Sequence, residues 1–187
     1  MENVKNIIGY DDSLKFEGEY LNGKRNGKGK EYDWKGNLIF EGEYLNGKRN
    51  GKVKEYYEEY YDTESLRYEG EYLNGKKNGK GKEFYNKDKL IFEGKFCNGK
   101  RHGKGKEYDD GELIFEGEYI NGKRNGRGKE FYKNGTTKFE GEFLNGKKWN
   151  GKGYNIKEEI IYRLIFGKPP YLGENEIALI NKQFLLL

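Results

Sequence analysis

Three features of the sequence predict an all-β fold: an elongated single-layer antiparallel β-sheet, a ribbon of repeated β-hairpins with a short, helical C-terminal cap. The first is a phrase, FEGEYLNGKRNGKGKEY at Phe16–Tyr32, that returns with small changes at Phe40, Tyr68, Phe92, Phe115 and Phe139. Successive starts lie 24, 28, 24, 23 and 24 residues apart. A period of this size marks a repeat architecture, in which each unit buries its apolar side against its neighbours. The second is local: within a unit, two stretches alternate with period two around an Asn-Gly dipeptide, the pattern of a hairpin. The third is compositional. Only 33% of residues are apolar and 36% are charged, which would suit a disordered chain, yet 17 Tyr, 11 Phe and 2 Trp are far too many aromatics for one. Rings buried in a thin layer reconcile the two.

Taken in order, residues 1–15 read as an N-terminal half-repeat cap. VKNIIGY (Val4–Tyr10) matches the second half of a truncated unit, and DDS follows as a turn. Residues 16–154 hold six units starting at 16, 40, 68, 92, 115 and 139. In the first, Phe16, Gly18 and Tyr20 share one face of their strand while Glu17 and Glu19 point the other way. On the returning strand Gly27 and Gly29 share parity, opposite to Lys28 and Lys30. Setting the glutamates across from the lysines makes opposite-charge pairs, each worth about a few tenths to 1 kcal/mol, and lays the rings over bare glycines. The other register would bury lysine beneath aromatic rings. Extra residues within EYYEEYYDTES lengthen the connection between the second and third hairpins. Twelve such strands at about 4.8 Å predict a ribbon roughly 55–60 Å long. Residues 155–187 complete the chain as a degenerate strand, EIIYRLIFG, and the C-terminal cap. There Pro169-Pro170 breaks the chain and GENEIALINKQFLLL predicts a short helix with Ile177, Ile180, Phe184 and Leu187 on one side, either a lid over the last open edge or a docking surface for a partner or a second copy.

Units such as YEGEYLNGKKNGKGKEF (Tyr68–Phe84) and FEGKFCNGKRHGKGKEY (Phe92–Tyr108) resemble the MORN repeat, a motif of roughly Y-x-G-x-[WYF]-x-x-G-x-x-x-G-x-G. The resemblance covers residues 16–154 in six copies. It implies a single-layer sheet of hairpins and non-enzymatic work as a scaffold or dimerisation module; binding of acidic phospholipids is the other activity it implies. Three departures stand out. Val53 replaces the second glycine of its unit, Trp149 is inserted into the sixth turn, and the usual Trp of the first strand is Tyr or Phe throughout.

The residues themselves argue against catalysis. His102, the only histidine, takes a slot held by Asn in other units, and Cys97, the only cysteine, sits on the same hairpin. Two such residues make neither a zinc site nor an oriented nucleophile, so no catalytic, metal or cofactor residue is assigned and no cofactor is expected. The recurring Glu pairs face lysines, and GKRNGKGK lacks the ending of a phosphate-binding loop. The start of the chain has no apolar run of a leader, and no segment approaches the roughly 18–20 apolar residues of a membrane span. The expectation is a soluble cytoplasmic protein, peripheral at most to a membrane or the cytoskeleton.

Charge gives the candidate surfaces. Lys24, Arg25, Lys48, Arg49, Lys76, Lys77, Lys100, Arg101, Lys123, Arg124, Lys147 and Lys148 fall at the turns with no acid among them, whereas the connections on the other side sum to −8. One long edge is therefore expected to be basic and available to an anionic partner. The aromatic face, Phe16, Tyr20, Phe40, Tyr44, Tyr68, Tyr72, Phe92, Phe96, Phe115, Tyr119, Phe139 and Phe143, is the second candidate surface. The partner expected is a protein or a second copy of the chain, with anionic phospholipid bound through the basic edge as the alternative. Nucleic acid is disfavoured, because the regular rings already have a packing role, and no small-molecule substrate is expected.

Overall fold

The computed structural model describes residues 2–8, 14–57, 65–86 and 88–166. The strand β1 (Glu2–Ile8) is followed by β2 (Leu14–Leu21), β3 (Lys24–Tyr32), β4 (Leu38–Leu45), β5 (Lys48–Tyr56), β6 (Leu66–Leu73) and β7 (Lys76–Tyr85). Then come β8 (Lys89–Cys97), β9 (Lys100–Asp109), β10 (Glu112–Ile120), β11 (Lys123–Phe131), β12 (Thr137–Leu144), β13 (Lys147–Tyr154) and β14 (Ile160–Leu164). All fourteen form one antiparallel sheet in chain order. No helix occurs among the described residues, and the helical cap expected over 173–187 lies outside them.

Each repeat turns on Asn-Gly. Asn22 (φ 50°) and Gly23 (φ 73°) both adopt the left-handed conformation, and the pair recurs in every hairpin through Asn145 and Gly146. This is the two-residue loop whose twist matches that of the flanking strands. The strand resumes at once, so Lys24 and Arg25 are not turn residues as the charge pattern suggested. They are the first two residues of β3, and adjacent residues of a strand project to opposite faces.

The register aligns Phe16 with Glu31, Glu17 with Lys30 and Gly18 with Gly29, after which three residues, Asn26 to Lys28, stand opposite Glu19 alone before Tyr20 meets Arg25. This bulge divides the expected Glu–Lys pairing. Lys30 faces Glu17 within the hairpin, but Lys28 faces Glu43 of the next hairpin, and Glu19 instead accepts the backbone N–H of Lys28 at 3.2 Å. The sixth hairpin, with Trp149 inserted, shifts by a single residue and sets Asn150 against Glu142.

The Phe16 ring lies flat across Gly18 and Gly29; a Cβ on Gly29 would stand 2.6 Å from the ring's Cζ. Rings then meet edge to face along the ribbon, Phe16 with Tyr44 at 5.5 Å, Tyr68 with Phe96 at 5.4 Å and Phe115 with Phe143 at 5.1 Å between centroids. The widest such gap between neighbouring hairpins, 6.5 Å between Phe40 and Tyr72, falls beside buried Val53, whose side chain occupies the space a glycine leaves free elsewhere. Among the described residues the buried apolar core consists of the twelve rings of the repeat and Val53.

Candidate functional site

The aromatic face is interior. All twelve of its candidate residues are buried, Phe16 at 0% exposure and Tyr72 at 9% marking the extremes. Their cover is supplied by the second cation of each Lys-Lys or Lys-Arg pair. The Arg25 guanidinium lies 4.0 Å above the Phe16 ring, Arg49 3.9 Å above Phe40, Arg101 4.2 Å above Phe92 and Arg124 4.1 Å above Phe115; Lys77 and Lys148 take the same place over Tyr68 and Phe139. Each cation is held there by a glutamate six residues on in its own strand, by one in the preceding hairpin, or by both. Arg25 reaches Glu31 at 2.6 Å, and Arg49 bridges Glu31 and Glu55. Arg101 joins Glu83 (2.9 Å) to Glu107 (3.5 Å), Arg124 joins Glu107 (2.5 Å) to Glu130 (2.8 Å), and Lys148 ends the ladder on Glu130.

Tyrosine hydroxyls complete three of these glutamates: Tyr44 donates to Glu31 at 2.7 Å, Tyr72 to Glu55 at 2.5 Å and Tyr119 to Glu107 at 2.7 Å. Burial alone would raise the Glu31 and Glu107 carboxyls, but the hydrogen bonds from Arg49 and Tyr44, or Arg124 and Tyr119, and the surrounding guanidinium charge hold both below the ordinary carboxylate value. Burial and the same carboxylates push Tyr44 and Tyr119 upward. Arg25, Arg49, Lys77, Arg101, Arg124 and Lys148 are thus parts of the packed face, and of the expected basic edge only Lys24, Lys48, Lys76, Lys100, Lys123 and Lys147 remain exposed.

The opposite face carries a long open groove of about 1910 Å³ spanning all six hairpins. Eleven Glu and eleven Lys or Arg line it, with the glycines between them, so its floor is neutral in sum but strongly patterned. On one rim Tyr32, Tyr56 and Tyr108 donate to Glu17, Glu41 and Glu93 of their own hairpins at 3.1, 2.9 and 2.7 Å. On the other rim the register pairs Leu21 with Lys24 and Leu45 with Lys48, alternating exposed aliphatic and cationic residues. Backbone bonds lace this rim, Gly47 N–H to Arg25 C=O at 2.8 Å and its counterparts in the later hairpins.

The MORN repeat signature matches residues 16–38, 40–57, 68–89, 92–112, 115–137 and 139–153, well over half of the chain. The chain belongs to the MORN-repeat family. No curated protein matches it. MORN repeats are generally non-catalytic and are associated with protein or membrane-lipid interactions.

In this MORN ribbon Cys97 is half-buried and paired with Lys100. His102 stands where Asn26, Asn50 and Asn125 accept the first turn N–H of the following hairpin. Burial lowers the affinity of its imidazole for a proton. Among the described residues no group of three or more His, Cys, Asp or Glu is placed to hold a metal ion, and there is no helix long and apolar enough to cross a membrane. Sequence reasoning missed the glutamates of the ladder, Glu31, Glu55, Glu83, Glu107 and Glu130, by assigning them to connections. Their signal is present all the same: an acid recurs six residues after the second cation in each of the first five units.

Proposed function

We propose that this MORN protein is a non-catalytic interaction module that seats an extended segment of a partner protein along its charged groove. The observation that carries the reading is the continuity of that groove over six hairpins, with alternating carboxylates and ammoniums that would fix the register of a segment of complementary pattern. A volume of about 1910 Å³ exceeds the roughly 300–1,000 Å³ usual for a small-molecule pocket, and length rather than depth makes up the difference. The rings do not compete for this role, because they are buried under the ladder. The test is photo-crosslinking from a benzophenone side chain placed at Lys54 or Lys106 in the groove, against one at Lys76 on the rim, in the cells that make the protein. Discrete protein adducts from the groove positions, which shift in size with an epitope tag on the identified partner and fade on charge reversal of neighbouring groove residues, support the reading. Adducts from the rim alone overturn it.

A second reading, peripheral binding to anionic phospholipid, is favoured by the rim itself. There exposed Leu21 and Leu45 alternate with Lys24 and Lys48, apolar and cationic groups in the order a membrane surface takes up. Replacing Lys24, Lys48, Lys76, Lys100, Lys123 and Lys147 with Gln would abolish flotation with phosphatidylserine vesicles if the rim is the contact. Flotation that survives the six changes, or that ignores salt, removes this reading.

A further inference from the structure

Next to the Leu/Lys rim, the row of groove residues alternates acid and base from strand to strand, with one interruption. On β7, β8 and β9 three lysines follow one another, Lys80, Lys95 and Lys104, flanked by Glu71 and Glu118. Lys80 and Lys95 are direct cross-strand partners. Lys104 lies on the far side of Lys95 in the bulge, where the Lys95 Cδ passes 3.6 Å from the point a Cβ on Gly103 would occupy; Lys104 in turn faces Glu118. All three lysines are exposed.

Like charges directly opposite in a sheet are destabilising. The substitution also removes an acceptor. In the first, second and fifth hairpins the residue equivalent to Lys95 is Glu19, Glu43 or Glu118, which accepts the backbone N–H of Lys28, Lys52 or Arg127 at 3.2, 3.4 and 3.0 Å. In the fourth hairpin an ammonium stands there, so position 95 offers no carboxylate to the N–H of Lys104. The acid nearest in the adjoining row, Glu93, is engaged by the Tyr108 hydroxyl at 2.7 Å and by Lys106 at 4.0 Å.

We propose that Lys80, Lys95 and Lys104 form a binding site for a compact oxyanion of the phosphate class, inorganic phosphate or a phosphate monoester. With strands about 4.8 Å apart, the three ammoniums are rooted within about 10 Å of one another. Their flexible stems converge on one tetrahedral group, which has enough oxygens for three charge-assisted hydrogen bonds. The N–H of Lys104 adds a backbone donor from the floor. A flat anionic surface would meet Glu71 and Glu118 together with the lysines, whereas a group of phosphate size centred on Lys95 meets a lysine on either side first, with each acid one strand further out. The site stands whether or not the groove also seats a protein.

The experiment follows backbone amide resonances of the full chain while inorganic phosphate is added at constant ionic strength, with chloride as the control. Saturable shifts centred on Lys80, Lys95, Gly103 and Lys104 are expected. Lys95→Glu restores the alternation and the missing acceptor, so it should keep the fold and weaken phosphate binding by at least about tenfold. In the other direction, Glu43→Lys joins Lys28 and Lys52 and should create a second saturable response there. Shifts that do not saturate, that chloride reproduces, or that persist unchanged in Lys95→Glu overturn the proposal. A parallel flotation with vesicles of phosphatidic acid in phosphatidylcholine separates the sources of the phosphate group. Flotation that depends on Lys95, without any saturable response to inorganic phosphate, overturns the assignment to a small soluble ligand.

Discussion

Arg49 reaches the buried carboxylate of Glu55 at 3.1 Å while its guanidinium lies 3.9 Å above the Phe40 ring. One side chain thereby satisfies a buried charge and covers a buried ring, and Glu55, at 3% exposure, depends on it, on Tyr72 and on Arg67. Removing one partner of such a set leaves buried charge unmatched, whereas exposed pairs of the same residue types are worth little. Glu55→Ala should cost about 2–3 kcal/mol in urea unfolding. Glu140→Ala, which removes the half-exposed partner of Lys129, should cost less than about 0.5 kcal/mol. Equal losses would mean that the ladder is not a stabilising unit.

Gly29 tests the contact between ring and backbone. Its missing side chain leaves the space occupied by the Phe16 ring, whose Cζ would be 2.6 Å from any Cβ placed there, with the Tyr44 ring edge at 3.1 Å. Neither ring can withdraw, because each is packed against its neighbours. Gly29→Ala should therefore destabilise by about 1–3 kcal/mol, the usual range for overpacking. Combined with Phe16→Ala, it should cost much less than the two changes summed, a coupling that thermal unfolding of all four forms would reveal.

Acid should loosen the sheet through the ladder. Glu31 and Glu107 are held below the ordinary value of 4.5, so as pH falls the unfolded chain takes up their protons before the folded one does. Their stabilisation is complete above the ordinary carboxylate value and is lost as pH falls through the depressed folded value. The urea midpoint should hold steady near neutrality and drop once pH passes below about 4.5. In a Glu31→Gln, Glu107→Gln double variant that drop should shrink; an identical profile would place the acid sensitivity elsewhere.

Alkali acts on the tyrosines with the opposite sign. Burial, reinforced by the Glu41 and Glu93 carboxylates that accept their hydroxyls, pushes Tyr56 and Tyr108 up to about 12 from the ordinary 10.0. Tyr44, Tyr68, Tyr72 and Tyr119 are also raised, burial being the main cause in each. A raised folded value stabilises fully below the unfolded value and is lost as pH rises through the folded one. Ultraviolet tyrosinate absorbance should accordingly include a late phase near pH 12 that coincides with loss of the β circular-dichroism signal. Ionisation of every tyrosine in one wave near pH 10.0, with the sheet intact, would show that the hydroxyl–carboxylate bonds do not hold the rings.

How far the sequence could be read depended on the range over which each feature acts. Asn22-Gly23 announced the turn and Phe16-x-Gly-x-Tyr the ring-bearing strand, because both are local patterns repeated at a constant period. Arg25 reads as a turn residue in the sequence because it follows Asn-Gly so closely, and only the two-residue loop of the structure shows that the strand has resumed and sends Lys24 and Arg25 to opposite faces. Glu31 reads as a connecting residue for a related reason: its partner Arg49 lies in the following hairpin, a relationship set by the stacking of units and not by spacing within one. Lys95 was visible as the single break in the glutamate series. Its meeting with Lys80 needed the register between hairpins, which the bulge at Asn26 to Lys28 and its counterparts displaces.

The strict chain order of the strands bears on how the molecule assembles. No strand waits for a distant partner: each of the fourteen pairs only with the strands just before and after it in the chain. Loop-closure entropy is then small at every step, and folding is free to start at any hairpin and spread to both sides, as a zip closes from wherever it catches. The same locality makes whole hairpins interchangeable in kind. Duplication or loss of a unit changes the length of the ribbon by about 10 Å and leaves the contacts of the remaining units as they were.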